Sequence, residues 1–397
     1  MKSSLDRYRS HQVPGVALFL VVAASYLALD QFVMVLNDPV NLGAGFRPAA
    51  GLSLALLMLV PPSRWGWVLA GVAVAELGGG FARGYPLEAA LLWAVGNSIE
   101  PLIGAVLLRR LGNPSGLLVP VQQLMRFVVA AVLIGPLVGG SIGTVGTLMT
   151  SDQTDVWQVW LKYFVGDALG VLLVAPLLLC WRERGIARHF GETITLSVAL
   201  ITVTFVSFRT WNDAWEEALP YLVIPYLIIP LLMWAAMRYG YRGAALGIFV
   251  TTQIANWFTS IGEGPFAFLG AADGRAITLL QFFLAVTAGS TLVLSALVED
   301  LVDRTEVEAR LASQAMSDAL TGLPNRAALT SALSERIESA SEHRGVGVCA
   351  CDLDHFKVIN DGLGHAAGDD VLIEVAGRMR RSVRVGDLVA RQGGMSS

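Results

Sequence analysis

Between residues 14 and 298 the sequence carries about ten apolar runs of bilayer-crossing length, and few folds can absorb them. The runs cover residues 14–36, 47–61, 65–82, 87–108, 124–148, 157–180, 192–209, 219–237, 243–260 and 276–298. About 20 mostly apolar residues cross the hydrocarbon core as a helix, which pairs all of its backbone groups internally where no water is available. The second and third runs are short for this and read as tilted or re-entrant. Eight to ten spans are expected. Lys2, Arg7 and Arg9 precede the first run, but that run is too long, and too closely followed by others, for a cleaved signal peptide. Composition agrees: 54% of the 397 residues are hydrophobic and 15% charged, where a soluble domain carries about a quarter as charges. The same figures exclude disorder. A net charge of −4 gives no basic field for nucleic acid. The three cysteines, Cys180, Cys349 and Cys351, are too few and too oddly spaced for a disulfide framework or a zinc cluster.

Charge divides the chain in two. Residues 299–397, a quarter of the length, hold 16 of the 32 acidic residues. A membrane block over 1–298 and a water-soluble tail follow. With ten spans and the N-terminus inside, the inner ends collect 12 Lys and Arg, among them Lys2, Arg109, Arg182 and Arg242. The outer ends hold five: Arg47, Arg83, Lys162, Arg209 and Arg275. That bias obeys the positive-inside rule, and an even number of spans returns the tail to the cytoplasm. The outer loops carry acids and aromatics instead, at Ser151–Asp155 and Trp211–Glu217.

Four acids lie within the spans: Asp30, Glu76, Glu100 and Asp167. Each costs about 3 kcal/mol at the bilayer centre unless it is paired, protonated or wet. Two readings stay open. One is a ligand pocket, ion path or proton-sensitive switch; the other is a polar clamp with Asn97, Ser98 or a snorkelling Lys162. The runs Gly78–Gly80 and Gly135–Gly140 point to close helix packing.

Two strings then resemble a family. Gly45-Phe-Arg-Pro-Ala-Ala-Gly-Leu52 enters one span, and Trp160-Leu-Lys-Tyr-Phe-Val-Gly-Asp-Ala-Leu-Gly-Val-Leu-Leu-Val-Ala-Pro176 forms another. Both are similar to the membrane-associated sensor domain, type one, of bacterial signalling proteins, over most of residues 10–298. The resemblance implies an integral sensory module in the bacterial inner membrane, joined to a cytoplasmic output domain, with a sensory ligand it does not identify.

Residues 299–317 form the connector. The stretch 294–317 has no Gly or Pro, and Leu294, Val298, Leu301, Thr305, Glu308, Ala312 and Ala315 recur at alternating steps of four and three. Only the first half of this seam is apolar, so a short parallel dimer helix and a solvated single helix both fit; the expectation is the dimer.

In the tail, Gly322 and Pro324 stop the connector, and a helix begins at Arg326 with Leu329, Leu333 and Ile337 on one face. Gly345–Cys351 reads as a buried strand ending in Asp352-Leu-Asp354, with Cys349 and Cys351 at core positions. Asp369–Val383 reads as an amphipathic helix with Val371, Leu372, Val375 and Met379 inward, and Asp387–Arg391 as a second strand. Asp352 and Asp354 would point to opposite faces of a strand, so only one aims at a metal beside a backbone carbonyl. Hard oxygens beside a glycine-rich loop and Lys357 suit Mg²⁺ and a nucleoside triphosphate.

The wider string is highly specific. Asp318-Ala-Leu-Thr-Gly-Leu-Pro-Asn-Arg326, then Asp352-Leu-Asp-His-Phe-Lys357 through Asn360 and Asp361 to Gly364, His365, Gly368 and Asp369, and then Arg391-Gln-Gly-Gly394 resemble the GGDEF-type diguanylate cyclases over 318–394. The resemblance implies that two GTP-loaded domains face each other and make cyclic di-GMP and pyrophosphate. It implies Mg²⁺ (or Mn²⁺) on Asp352 and the Leu353 carbonyl, guanine on Asn360 and Asp369, and phosphate on Lys357. It also implies a product-inhibition site at Arg384 and Asp387. After Gly394 the family pattern requires acidic residues, whereas this sequence reads Met395-Ser-Ser. The expectation is therefore an incomplete α+β GGDEF domain over 318–397 that does not bind metal fully and does not make cyclic di-GMP itself. A non-catalytic receptor or regulator and a transporter-like protein with a vestigial tail are the alternatives.

Overall fold

The computed structural model describes residues 14–36, 46–113, 118, 120–150, 155–180, 190–209, 224–270, 276–339, 345–384 and 386–392. Lys2, Arg7, Arg9, Gly45, residues 151–154 and 211–217, Arg182, Arg275, Gly393, Gly394 and Met395 lie outside the described residues. The chain forms two units, 1–300 and 301–397.

In chain order the helices reaching from the first unit are α1 (Gly15–Leu36), α2 (Pro48–Leu59), α3 (Trp65–Ala82), α4 (Leu87–Arg110), α5 (Val121–Leu148), α6 (Val156–Leu179), α7 (Phe190–Phe208), α8 (Ile228–Ser260), α9 (Gly264–Gly270) and α10 (Ala276–Ala315). Among the described residues, α1, α3, α4, α5, α6 and α10 are long and apolar enough to cross a membrane. They match six of the ten expected runs. The other four take different forms. At 12 residues, α2 is about 18 Å long against a hydrocarbon core of about 30 Å. Its Ala49, Leu54, Ala55, Leu57 and Met58 are all buried, so α2 fits the re-entrant reading. The run at 192–209 is the short apolar α7. The last two runs fall on the two arms of α8, two helices that meet at a kink at Gly240, where φ is 60° and ψ −147°.

Helix α1 packs on α3, α2 on α6, α4 on α3 and α5, α5 on α6, and α7 on α8. Val22, Phe46, Leu54, Phe127 and Leu169 belong to one continuous apolar core. Within α5, residues Val128–Ile134 take the wider π-helical winding, a form that recurs at functional sites.

The break at Gly240 leaves the Tyr241 N–H at the start of a new helical arm, and it donates to Glu299 Oε1 of α10 at 2.6 Å. A carboxylate at a helix N-terminus both caps an amide and meets the positive end of the dipole. Glu299→Ala should therefore cost about 1 kcal/mol locally, read as faster amide exchange over residues 241–244. Unchanged exchange there would count against this role.

The final helix of the first unit continues as one element for 40 residues, about 60 Å. Its apolar character ends near Thr305. The expected seam residues Leu301, Thr305, Glu308, Ala312 and Ala315 are all exposed in the single chain.

The second unit adds α11 (Arg326–Glu338), α12 (Phe356–Leu363) and α13 (His365–Ser382). The inward face read for α13 is half-buried at Val371, Leu372, Val375 and Met379. The two expected strands are not formed. Residues 345–353 and 387–392 carry no strand, Gly345–Cys351 is exposed throughout, and Cys349 and Cys351 are exposed with their sulfurs 3.9 Å apart. A strand exists only in a ladder, since its N–H and C=O groups need a neighbour. Among the described residues the sole β-bridge joins Ser317 to Pro324. β-Branched composition supplied the conformational preference; among the described residues no adjacent strand completes it.

Candidate functional site

The in-span acids converge. Asp30 from α1, Glu76 from α3, Glu100 from α4 and Asp167 from α6 line one small cavity of about 20 Å³, together with Tyr26, Asn97 and Arg47. Arg47, placed at an outer end by the sequence, sits just ahead of α2 and pairs with Asp167 (Nη1 to Oδ1, 3.4 Å). Its guanidinium also lies over the Tyr163 ring, 4.4 Å from the centroid. Arg83 pairs with Asp30. Glu76 accepts from the Tyr26 hydroxyl and from Asn97 Nδ2, the latter at 2.5 Å. Glu100 and Asp167 are 2% and 1% exposed; their carboxyls lie within hydrogen-bond reach of each other, and no donor from another residue meets Glu100 Oε1 or Asp167 Oδ2.

Backbone packing places Arg47 there. The Arg47 N–H donates to the Gly166 carbonyl at 2.9 Å, and a Cβ on Gly170 would lie 1.8 Å from the Arg47 carbonyl oxygen. On the other wall, a Cβ on Gly139 would lie 2.6 Å from Glu100 Cβ, so the Gly135–Gly140 run does mark close packing. Of the two open readings, the polar clamp has a contact behind it in part. Asn97 does clamp Glu76, but Lys162 is exposed and the Ser98 hydroxyl is buried without a partner. The counter-ion the sequence reading missed is Arg47. The available signal was that Arg47 and Asp167 each sit inside one of the two family strings.

In the second unit the opening signature forms a knot. Asp318 Oδ1 accepts from the Thr321 N–H (2.9 Å), the Thr321 hydroxyl (2.7 Å) and Arg391 Nη1 (2.8 Å). Gly322, at φ 67°, closes the turn with its N–H on the Asp318 carbonyl. Asn325 caps α11 through the Ala328 N–H at 3.1 Å, and its amide donates to the Ala315 carbonyl at 2.6 Å. The Arg391 N–H donates to the Pro324 carbonyl at 2.8 Å, so residues 318–325 are tied to 391 twice. Burial raises the Asp318 pKa, but the bonds from Thr321 and Arg391 outweigh it and hold the carboxyl below the usual aspartate value. A depressed folded value means that the stabilisation is complete above the unfolded value, about 4, and fades as pH falls through the folded one. Asp318→Ala should cost this knot about 1.5–3 kcal/mol at pH 7, read as lost amide protection over residues 316–325 of the full chain. The difference from the parent should shrink below pH 4.

The expected nucleotide residues occupy one turn and two helix starts. Asp352 and Leu353 end the extended run, and His355, at φ 59°, turns the chain so that α12 begins at Phe356 with Lys357 in its first turn. The Leu353 carbonyl accepts from the Phe356 N–H at 3.3 Å. Asn360 lies against the start of α13: a Cβ on Gly368 would fall 1.9 Å from Asn360 Oδ1, and Asp369 follows at once. Asp352, Lys357 and Asp369 are exposed. Arg384 and Asp387 form a separate turn. The Asp387 N–H donates to the Arg384 carbonyl (3.0 Å), and the Arg384 N–H donates to Asp387 Oδ2 (3.1 Å). Arg336 donates to the Gly386 carbonyl at 2.6 Å and ties this turn to α11. Among the described residues no three His, Cys, Asp or Glu gather as metal ligands. Asp352 and the Leu353 carbonyl still fit Mg²⁺, which takes few protein oxygens and completes its shell with water and phosphate.

Comparison with known proteins accords with both units. Residues 14–301 match the MASE1 family, and residues 315–396 match the diguanylate cyclase GGDEF domain family. Diguanylate cyclase TpbB of Pseudomonas aeruginosa is 55% identical over 87 residues, 22% of this chain and 20% of TpbB. The bifunctional diguanylate cyclase/cyclic di-GMP phosphodiesterase MucR of the same species is 37% identical over 190 residues, 41% of this chain and 27% of MucR. Probable diguanylate cyclase DgcF of Escherichia coli O157:H7 is 28% identical over 294 residues, 72% of this chain and 57% of DgcF. The chain thus spans from about a fifth to just over half of the length of these relatives. No solved structure matches.

Proposed function

We propose that this chain, which belongs to the MASE1 family of membrane sensors and carries a GGDEF domain behind it, reads a signal within its spanning unit and relays it to cyclic di-GMP synthesis. The observation that carries this reading is α10: one uninterrupted helix runs from the last span into the residues that open the cyclase signature. From Leu294 onward it holds no Gly or Pro, and a helix of that kind transmits rotation or translation with little loss. Its exposed seam from Leu301 to Ala315 offers a face for a second copy, so the working unit is a homodimer joined at the connector. The site is set in the bacterial inner membrane with the GGDEF unit in the cytoplasm, on the strength of the positive-inside bias.

Within each GGDEF unit, Asn360 and Asp369 hydrogen-bond the guanine edge of GTP. Lys357 meets the phosphates, and Asp352 with the Leu353 carbonyl holds Mg²⁺. The bound metal would neutralise charge developing on the phosphates. The chain's own task is positioning: it aligns the 3′-hydroxyl of one nucleotide with the α-phosphate of the other across the dimer, and pyrophosphate leaves. The turn Arg384–Asp387 takes the product back as an inhibitor.

The test joins residues 1–392 in frame to the remaining part of the TpbB cyclase domain and measures cyclic di-GMP from GTP and Mg²⁺ in membranes. Product is expected, and Asp352→Ala should lower it about 100-fold or more, since a lost metal ligand removes several kcal/mol of transition-state stabilisation. Product unaffected by Asp352→Ala would refute the assigned role. No product at all would favour a non-catalytic regulator.

A further inference from the structure

We propose that the cavity in the spanning unit is a binding site for a small cation of single charge, an alkali ion or a primary ammonium, held between Glu100 and Asp167. The inference deepens the sensor reading, on which it rests, by naming the class of its ligand. Charge makes the first argument. Asp30 is matched by Arg83, which leaves Glu76, Glu100 and Asp167 facing the single guanidinium of Arg47. Two surplus negative charges remain inside the bilayer: a singly charged guest on Glu100 and Asp167 takes up one, and a proton on a carboxyl takes up the other.

Satisfied hydrogen bonding makes the second. Glu76 already takes the Tyr26 hydroxyl and the Asn97 amide. Glu100 and Asp167 remain: both are at least nine-tenths buried, both line the cavity, and their carboxyls lie within hydrogen-bond reach of each other, with no donor from any other residue on Glu100 Oε1 or Asp167 Oδ2. Buried acceptors in that state are costly, and a cation seated on both oxygens removes the cost. The donor set also limits the charge of the guest. Among the described residues no third Asp, Glu, His or Cys completes a chelate, so the site lacks the oxygen count of a calcium cage, and the small cavity leaves no room for the water shell that magnesium keeps. Leu29, Val33 and Ala50 wall the rest of the cavity, which excludes a large hydrated solute and accepts a bare ion or the methyl end of a short amine.

The experiment is a melting curve of the full chain in lipid nanodiscs at fixed pH and ionic strength. Choline chloride is replaced stepwise by sodium, potassium or methylammonium chloride. At saturation at least one of the three should raise Tm by about 2–4 °C or more, and whether the alkali ions or methylammonium do so identifies the source. The rise should vanish in Glu100→Gln. Asp167→Asn serves as the second variant should the first not fold. Equal Tm in all four salts for the wild-type chain overturns the proposal whatever the variants do, as does a rise that persists in Glu100→Gln. A Tm that responds to pH alone means that protons neutralise the site, and overturns it too. The readout needs no nucleotide, so failure of the cyclase reading leaves this test intact.

Discussion

Gly170→Ala is expected to lower the Tm of the chain in nanodiscs by roughly 10 °C, from a loss of about 3 kcal/mol. The added methyl would sit 1.8 Å from the Arg47 carbonyl oxygen and 2.6 Å from the carbonyl carbon. Both are backbone atoms, so no side-chain rotation relieves the clash. The partner helix is equally tight: a Cβ on Gly51 would fall 2.2 Å from the Gly170 carbonyl oxygen. The α2–α6 contact is therefore backbone against backbone from both sides. The only relief is to slide α2 and the residue before it away from α6, which draws Arg47 off Asp167. Gly78→Ala is the control. Nothing lies within 4 Å of a Cβ there, and alanine favours a helix interior by up to about 1 kcal/mol, so that variant should melt no lower than the parent. A Gly170→Ala chain that melts with the parent would show that the helices are not in contact at this point.

These expectations also mark where the sequence was readable. Span-length apolar runs announce themselves because the bilayer fixes how many residues a helix needs, and α1, α4, α5 and α6 lie close to where the pattern put them. What hydropathy does not distinguish is a helix crossing lipid from one buried among other helices. Both are apolar all round, hence the short α2 in place of a full-length span. The acids at 30, 76, 100 and 167 were legible as costly, but not as neighbours. Their convergence depends on helix packing, and their counter-ion lies in a segment that looks like a loop end. In the tail, helices α11 and α13 follow local periodicity, whereas a strand depends on a distant partner that composition cannot supply. Arg391 shows the same limit. It looks like part of a string ahead of two glycines, yet its guanidinium holds Asp318 at 2.8 Å, 73 residues away.

The strongest electrostatic test follows from the pair that closes the cavity. Arg47→Met keeps much of the side-chain volume but leaves Asp167 buried without its cation, and breaking a buried pair from one side costs about 3–5 kcal/mol. The expected drop in Tm is of order 10 °C in nanodiscs. Most of that cost is the stranded carboxylate rather than the lost attraction, because Asp167 is 1% exposed and its Oδ2 meets no donor from any residue but Glu100. Asp167→Asn in the Arg47→Met background removes the stranded charge while keeping the shape, and should recover more than half of the loss. Asp167→Asn alone leaves Arg47, 27% exposed at its side chain and stacked on Tyr163, with other carboxylates around it, and should cost much less than Arg47→Met. The cycle thus predicts an asymmetry between the two single variants and a favourable coupling in the double. Equal losses that simply add would mean that Arg47 and Asp167 act independently, and that the two family strings meet at this cavity without forming an ion pair.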